Sequence, residues 1–285
     1  MSTDVPASTL EGAWAERVRE NREQAERFRE STTGDFYAPV SSLFVSDPRR
    51  TDEPALAHLL AMTDRAQTWL DIGAGAGRYA LPLALAARQV IAVEPSAGMR
   101  RALRAGLDEH GIDNVVVVAG VWPDAVSQLE TIPAADRSLI AHVGYDIDLI
   151  GPFLGAMEAA TAEQCVAVMT DVSPASVADP FWPLVHGESR VPLPALPDLL
   201  ALLRARGRAT EVMRMTRPPR TFDSVGALAA FLRRQLFIEE GGDKDNHFRA
   251  ILPELIIHRD GGWTLADGPA GAIGIVTWAP DPGHD

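Results

Sequence analysis

Short apolar runs recur through the middle of the chain, each ended by a glycine, a polar residue or a proline. Residues 68–72, 89–94, 115–118, 138–143 and 164–170 each have the length and apolar content of a buried strand. Helical patterns separate them: from about Arg78 through Arg88, from a Ser96 cap to His110 with a stop at Gly111, and from about Ile150 to Ala160. A shorter helix, from Pro54 to about Met62, leads into the first strand. Later come a helix over 196–206, a strand over 210–215, two helices over about 224–237 and 246–258, and a last strand over 272–278. Strands alternating with helices predict a doubly wound α/β domain whose mostly parallel sheet is covered on both faces. The strand count is seven, five before residue 172 and two after it.

Ahead of this pattern, residues 8–31 read as one helix. Trp14, Val18, Asn21, Ala25 and Phe28 follow one another at spacings of 4, 3, 4 and 3, so they share a stripe that has to be covered. The cover is expected to be the domain itself, the cofactor site beneath a lid, or a second copy of the chain. Asp35-Phe36-Tyr37-Ala38-Pro39 then breaks the helix and is a candidate closure over the site. The organisation expected is an N-terminal helical extension, 1–50, and a main domain, 51–285, with insertions at 172–197 and 218–262. The first insertion holds six prolines with Phe181, Trp182 and His186, and reads as an ordered loop over a pocket. The helical pair of the second reads as a small cap or dimer-forming element before the last strand.

Composition narrows the function classes. With 26 Lys+Arg against 39 Asp+Glu the net charge is −13, which argues against nucleic acid and against an anionic membrane surface. At 46% apolar and 23% charged, the chain has the balance of a folded domain. The one cysteine, Cys165, lies in an apolar run and reads as core. No metal-ligand spacing, phosphate loop or nucleophile elbow is present. The N-terminus lacks the basic and apolar regions of a signal peptide, and no run has the length of a membrane span, so a cytoplasmic protein is expected.

Chemistry concentrates in Asp71-Ile72-Gly73-Ala74-Gly75-Ala76-Gly77-Arg78-Tyr79, a strand end, a glycine turn and a helix start. Such a turn lets a ligand approach the backbone closely, with the N-terminus of the next helix facing it. The dinucleotide pattern G-x-G-x-x-G requires a third glycine where Arg78 stands, and the extra glycine falls one residue early. Glu94 ends the second strand 23 residues after Asp71, well placed to accept both hydroxyls of a ribose. The pattern D-x-G-x-G-x-G followed by that acid resembles motif I and its partner strand in the class I S-adenosylmethionine-dependent methyltransferases.

The resemblance covers roughly residues 54–278, though only the first half carries specific motifs. It implies a Rossmann-like methyltransferase fold, α/β, with seven strands and the last antiparallel between the fifth and sixth. It also implies S-adenosylmethionine as cofactor. Cofactor-binding residues are then expected at Asp71, Gly73, Ala74, Gly75 and Gly77, at Glu94, Pro95, Ser96 and Met99, at Gly120, Val121 and Trp122, and at His142. The acid that commonly receives the adenine amino group is absent at 120–122, and Asp124 stands slightly late. Trp122 either packs on the purine face, with Gly120 and Val121 supplying backbone contacts, or plugs the sheet end.

After the fourth strand, His142, Tyr145 and Asp146 offer a base, a hydroxyl and a carboxylate, with His142 and Tyr145 as catalytic candidates. A histidine satisfied at the sheet edge is the plainer alternative. The segment lacks the Asn/Asp-Pro-Pro-aromatic motif of enzymes acting on nucleobase amines or glutamine amides, so a small-molecule acceptor with an oxygen or carbon nucleophile is favoured. His186, Glu188 and Arg190 line an acceptor pocket or lie on a surface loop. Two other readings stand beside methyl transfer: a cofactor-binding protein without turnover, and an NAD-dependent oxidoreductase. A homodimer is compatible with the N-terminal helix and the late helical pair.

Overall fold

A computed structural model describes residues 5–30, 35, 38–125, 134–217, 219–267 and 271–281. The elements in order are α1 (Ala7–Phe28), a 3-10 helix (Ala38–Phe44), α2 (Pro54–Ala61), β1 (Thr68–Ile72), α3 (Ala80–Ala86), β2 (Gln89–Glu94) and α4 (Ala97–His110). They continue with β3 (Val115–Ala119), β4 (Ala135–Ala141), α5 (Ile150–Ala159) and β5 (Thr161–Thr170). A second 3-10 helix (Pro174–Ala178), α6 (Trp182–His186), α7 (Leu196–Ala205) and β6 (Thr210–Arg217) follow. The chain ends with α8 (Val225–Gln235), α9 (Asp243–Leu255), β7 (Ile256–Arg259), β8 (Gly262–Leu265) and β9 (Gly271–Trp278).

The main sheet has seven strands in the order β3-β2-β1-β4-β5-β9-β6. β1 to β5 run parallel, and β9 lies antiparallel between β5 and β6, as the resemblance implied. Alternation along the strands sorts side chains to two faces. Leu70 and Ile72 join Ile91, Val93, Phe153 and Leu203 on one face, while Trp69 joins Leu59, Leu83, Val90 and Leu139 on the other.

α1 lies on the first face, with Trp14 and Val18 buried in its core. Trp14 donates Nε1–H to the Ile147 carbonyl at 2.9 Å, tying the helix to the segment after β4. The polar members of the stripe serve the first insertion. Asn21 donates to the Val191 carbonyl, and Gln24 donates to the Ser189 carbonyl and accepts from Val191 N–H. These side chains supply the partners that irregular backbone cannot find in itself. The stripe is thus covered within the chain, by the domain itself. Residues 36 and 37 of the candidate closure lie outside the described residues.

The two insertions share a third core. Phe181 and Trp182 are fully buried against Leu228, Leu232, Phe248 and Leu252. The first insertion is therefore half of a packed unit and not an independent loop. Two other expectations are corrected. The helix expected over 246–258 stops at Leu255, and β7 and β8 form a hairpin through Asp260-Gly261, both at positive φ (52° and 79°). Asp-Gly between apolar runs signals such a turn. The helix after the glycine loop starts at Ala80, because successive turns occupy Gly75 to Tyr79. No helix among the described residues is long and apolar enough to cross a membrane.

Trp14 holds the extension on the domain, so Trp14→Ala should lower the unfolding free energy by about 3–5 kcal/mol. Urea denaturation would register this as a lower midpoint; an unchanged midpoint would mean that α1 contributes little to stability.

Candidate functional site

β1, β2, β4 and β5 all point their carboxyl ends at one edge, where open α/β sheets bind ligands. A cavity of about 410 Å³ lies there, within the usual range of small-molecule sites. Its floor is the glycine loop. Gly73 and Ala74 both donate to the Val93 carbonyl, at 2.8 and 3.1 Å, which folds the loop back over β2. Gly73 has φ +76°, and an added Cβ would stand 2.5 Å from Val143 Cγ2. Gly75 has φ +57°, and an added Cβ there would meet nothing within 4 Å. Its missing side chain leaves room on the cavity side.

Glu94 is buried beside this loop. Its Oε2 accepts Gly75 N–H at 2.8 Å, and its Oε1 accepts Ser96 N–H at 2.7 Å. A carboxylate has about four acceptor positions, so two such bonds leave capacity for a vicinal diol. Ser96 caps α4 through its bond from Met99 N–H, and its Oγ–H donates to Asp35, which also accepts Gly98 N–H. Burial raises the Glu94 pKa and Asp35 adds to this, while the Ser96 and Gly75 N–H groups and Arg100 pull the other way.

Asp71, at the end of β1, is 2% exposed. Burial, then the Glu94 charge, push its pKa up to about 7, against a bond from Ala80 N–H that lowers it. On the outer side of the loop, Glu53 gathers Arg50, Arg78 and Tyr79 at 2.8, 2.7 and 2.5 Å. Arg78 and Tyr79 both line the cavity.

The structure brings Asp71, Gly73, Ala74, Gly75, Glu94, Pro95, Met99, Val121, Trp122 and His142 to the cavity wall. Trp122 both plugs and lines: Nε1–H donates to the Phe153 carbonyl at 3.2 Å while the side chain borders the cavity. His142 leaves β4 at φ +57°, its N–H bonded to the Val168 carbonyl at 2.8 Å.

Four expected residues are not on the wall. Gly77 packs instead where a Cβ would strike Leu103 Cδ1 at 2.6 Å, and Gly120 where it would strike Ala125 Cβ at 2.9 Å. Ser96 acts behind Glu94. Tyr145 is placed elsewhere: it is buried, and its hydroxyl accepts Thr170 N–H at 2.8 Å and bonds Thr170 Oγ at 2.9 Å. That oxygen braces the segment after β4 against the end of β5. His186 and Arg190 also fall away from this cavity: His186 stacks on Phe28 at 4.4 Å, and Arg190 lies 4.6 Å over Trp182.

Residues that the sequence reading missed include Phe44 and Phe153, neither of which carries a local signal. Asp35, the first residue of the candidate closure, bonds Ser96 and Gly98 behind Glu94. Among the described residues no group of His, Cys, Asp and Glu side chains is placed to hold a metal ion.

Strand order, the antiparallel β9 and a glycine loop facing an acid on β2 define the class I methyltransferase fold. No protein-family profile and no curated protein sequence matches the chain. Among solved structures it is similar to the YcgJ protein of Bacillus subtilis, at 17% identity and TM-score 0.53, over 80% of this chain and 98% of that one. A candidate methyltransferase from Bacillus halodurans is similar at 15% identity and TM-score 0.54, over 80% and 100% of the two chains.

The raised pKa of Asp71 has a definite sign. Below the ordinary value of 3.8 the group is protonated folded or unfolded and makes no difference. Above it the unfolded chain ionises while the folded protein resists until about 7, so its contribution to stability is lost across that window. Asp71→Asn escapes the loss. Its stability relative to wild type should rise by up to about 4 kcal/mol between about pH 4 and about pH 8. A difference that stays flat with pH, measured by denaturation at each value, would contradict the assignment.

Proposed function

We propose that the chain binds S-adenosylmethionine in this cavity and passes its methyl group to a small molecule, at oxygen or carbon in preference to a nucleobase amine. The observation that carries the reading is the carboxylate pair Asp71 and Glu94 set against the glycine loop. Glu94, held by Gly75 and Ser96, presents both oxygens in one orientation, which suits a ribose diol. Two buried acids of raised pKa favour a ligand that brings positive charge, as a sulfonium and an ammonium do. The same pair repels the pyrophosphate of a dinucleotide, which supports setting the oxidoreductase aside.

The glycine loop and Glu94 would hold the cofactor, which would supply a methyl carbon already activated by its sulfonium. The chain's own part is mainly alignment and exclusion of water. Phe44, Trp122 and Phe153 enclose the cavity, and the glycine loop and Glu94 set the height of the ligand. His142, on the cavity wall at the β4 end, is our candidate to take the acceptor's proton, with water as the alternative recipient. Acceptors that lose their proton readily need no such help.

Calorimetry should give micromolar dissociation constants for S-adenosylmethionine and for its demethylated product. Glu94→Gln, which removes the negative charge and one of the two acceptor oxygens, should weaken both by at least about tenfold. Binding of neither ligand ends the proposal, and fluorescence-detected binding of NADH would favour the oxidoreductase. Tight cofactor binding with no transfer across a broad acceptor panel would make the protein a binder without turnover.

A further inference from the structure

A second cavity, of about 140 Å³, opens at the same sheet edge, where β5 ends at Thr170, β9 begins at Gly271, and Pro219 and Arg220 follow β6. Both insertions build it. Pro174 and Val177 come from the first; Phe222, Leu228 and Phe231 come from the second. A dry cavity of about this volume holds one benzene ring. The walls carry no acidic side chain among the described residues, and their charged side chain is Arg220. Its guanidinium lies 5.4 Å from the Phe222 ring centre and 5.1 Å from that of Phe231, and Nη2–H donates to the Leu43 carbonyl at 3.3 Å. A guanidinium oriented by rings in this way is a planar fork matched to a carboxylate.

The two cavities share their partition. Leu43 takes the bond from Arg220, and its neighbour Phe44 lines the first cavity. Thr170 lines the second and bonds Tyr145, which directly precedes Asp146 on the wall of the first. Their charges differ: Asp71, Glu94 and Asp146 outnumber Arg78 on the wall of one, whereas the charged side chain of the other is Arg220.

We propose that the second cavity binds a small aromatic acid, its ring between the two insertions and its carboxylate on Arg220. This binding does not depend on the methyltransferase reading above.

The test uses the whole chain, with benzoate and its neutral analogue benzamide as probes, each titrated with and without S-adenosylhomocysteine and followed by ligand-observed NMR. Benzoate should bind, and S-adenosylhomocysteine should not displace it. Arg220→Ala should weaken benzoate about tenfold and leave benzamide unchanged, while Arg220→Lys keeps most of the benzoate affinity. Val172 lines the cavity yet is 42% exposed, so Val172→Trp can obstruct the cavity without entering a core, and both probes should then bind more weakly. Absence of benzoate binding, displacement by S-adenosylhomocysteine, or indifference to both Arg220→Ala and Val172→Trp overturns the proposal. Should S-adenosylhomocysteine fail to bind while the benzoate pattern holds, the methyltransferase reading falls and the aromatic-acid site stands.

Discussion

A single buried carboxylate, that of Glu94, holds together two loops that follow different strands. One oxygen takes the N–H of Gly75 after β1, and the other takes the N–H of Ser96 after β2. Neither loop has a regular ladder at that point, so without this acceptor both N–H groups would need other partners. Burial makes the charge costly, and the backbone bonds reduce that cost without removing it. The Asp35 charge raises the cost further, and Glu94 in turn helps burial push Asp71 towards its protonated form. The cavity is thus built around negative charge that the chain compensates only in part.

Away from that point, the fold consists of a regular sheet and irregular additions that depend on one another. The backbone of residues 189–193 finds its partners in Arg17, Asn21 and Gln24 of α1. The aromatic residues of the same insertion find theirs in α8 and α9. The extension, the first insertion and the second insertion therefore form one continuous body beside the sheet edge. Both cavities open where that body meets the strand ends, which gives a common scaffold two chemically different recesses.

What could be read along the chain had local causes. The strands of the first half are short apolar runs, and Ser96 and Gly111 bound α4 by the capping chemistry of those two residues. The glycine loop and Glu94 were legible because their residue types and spacing follow from a strand-turn-helix unit repeated once. The Asp260-Gly261 hairpin was equally local, and was missed because the apolar pattern before it was read at helical period throughout. The place of Tyr145 depended on a distant partner. A tyrosine after a strand looks available until its partner is known, and Thr170 is 25 residues further on.

By itself the sequence determined the strands and helices of the first half and the glycine loop with its two acids, since each depends on neighbours within a few residues; the order of the strands entered only through the family resemblance. Only the tertiary structure decided which side chains remain for a ligand. Phe44, Phe153 and Asp35 reach the site, Tyr145 leaves it, and the halves of the second cavity come from segments on either side of α7 and β6. Contacts between distant segments depend on packing geometry and burial, and these leave no periodic trace along the chain.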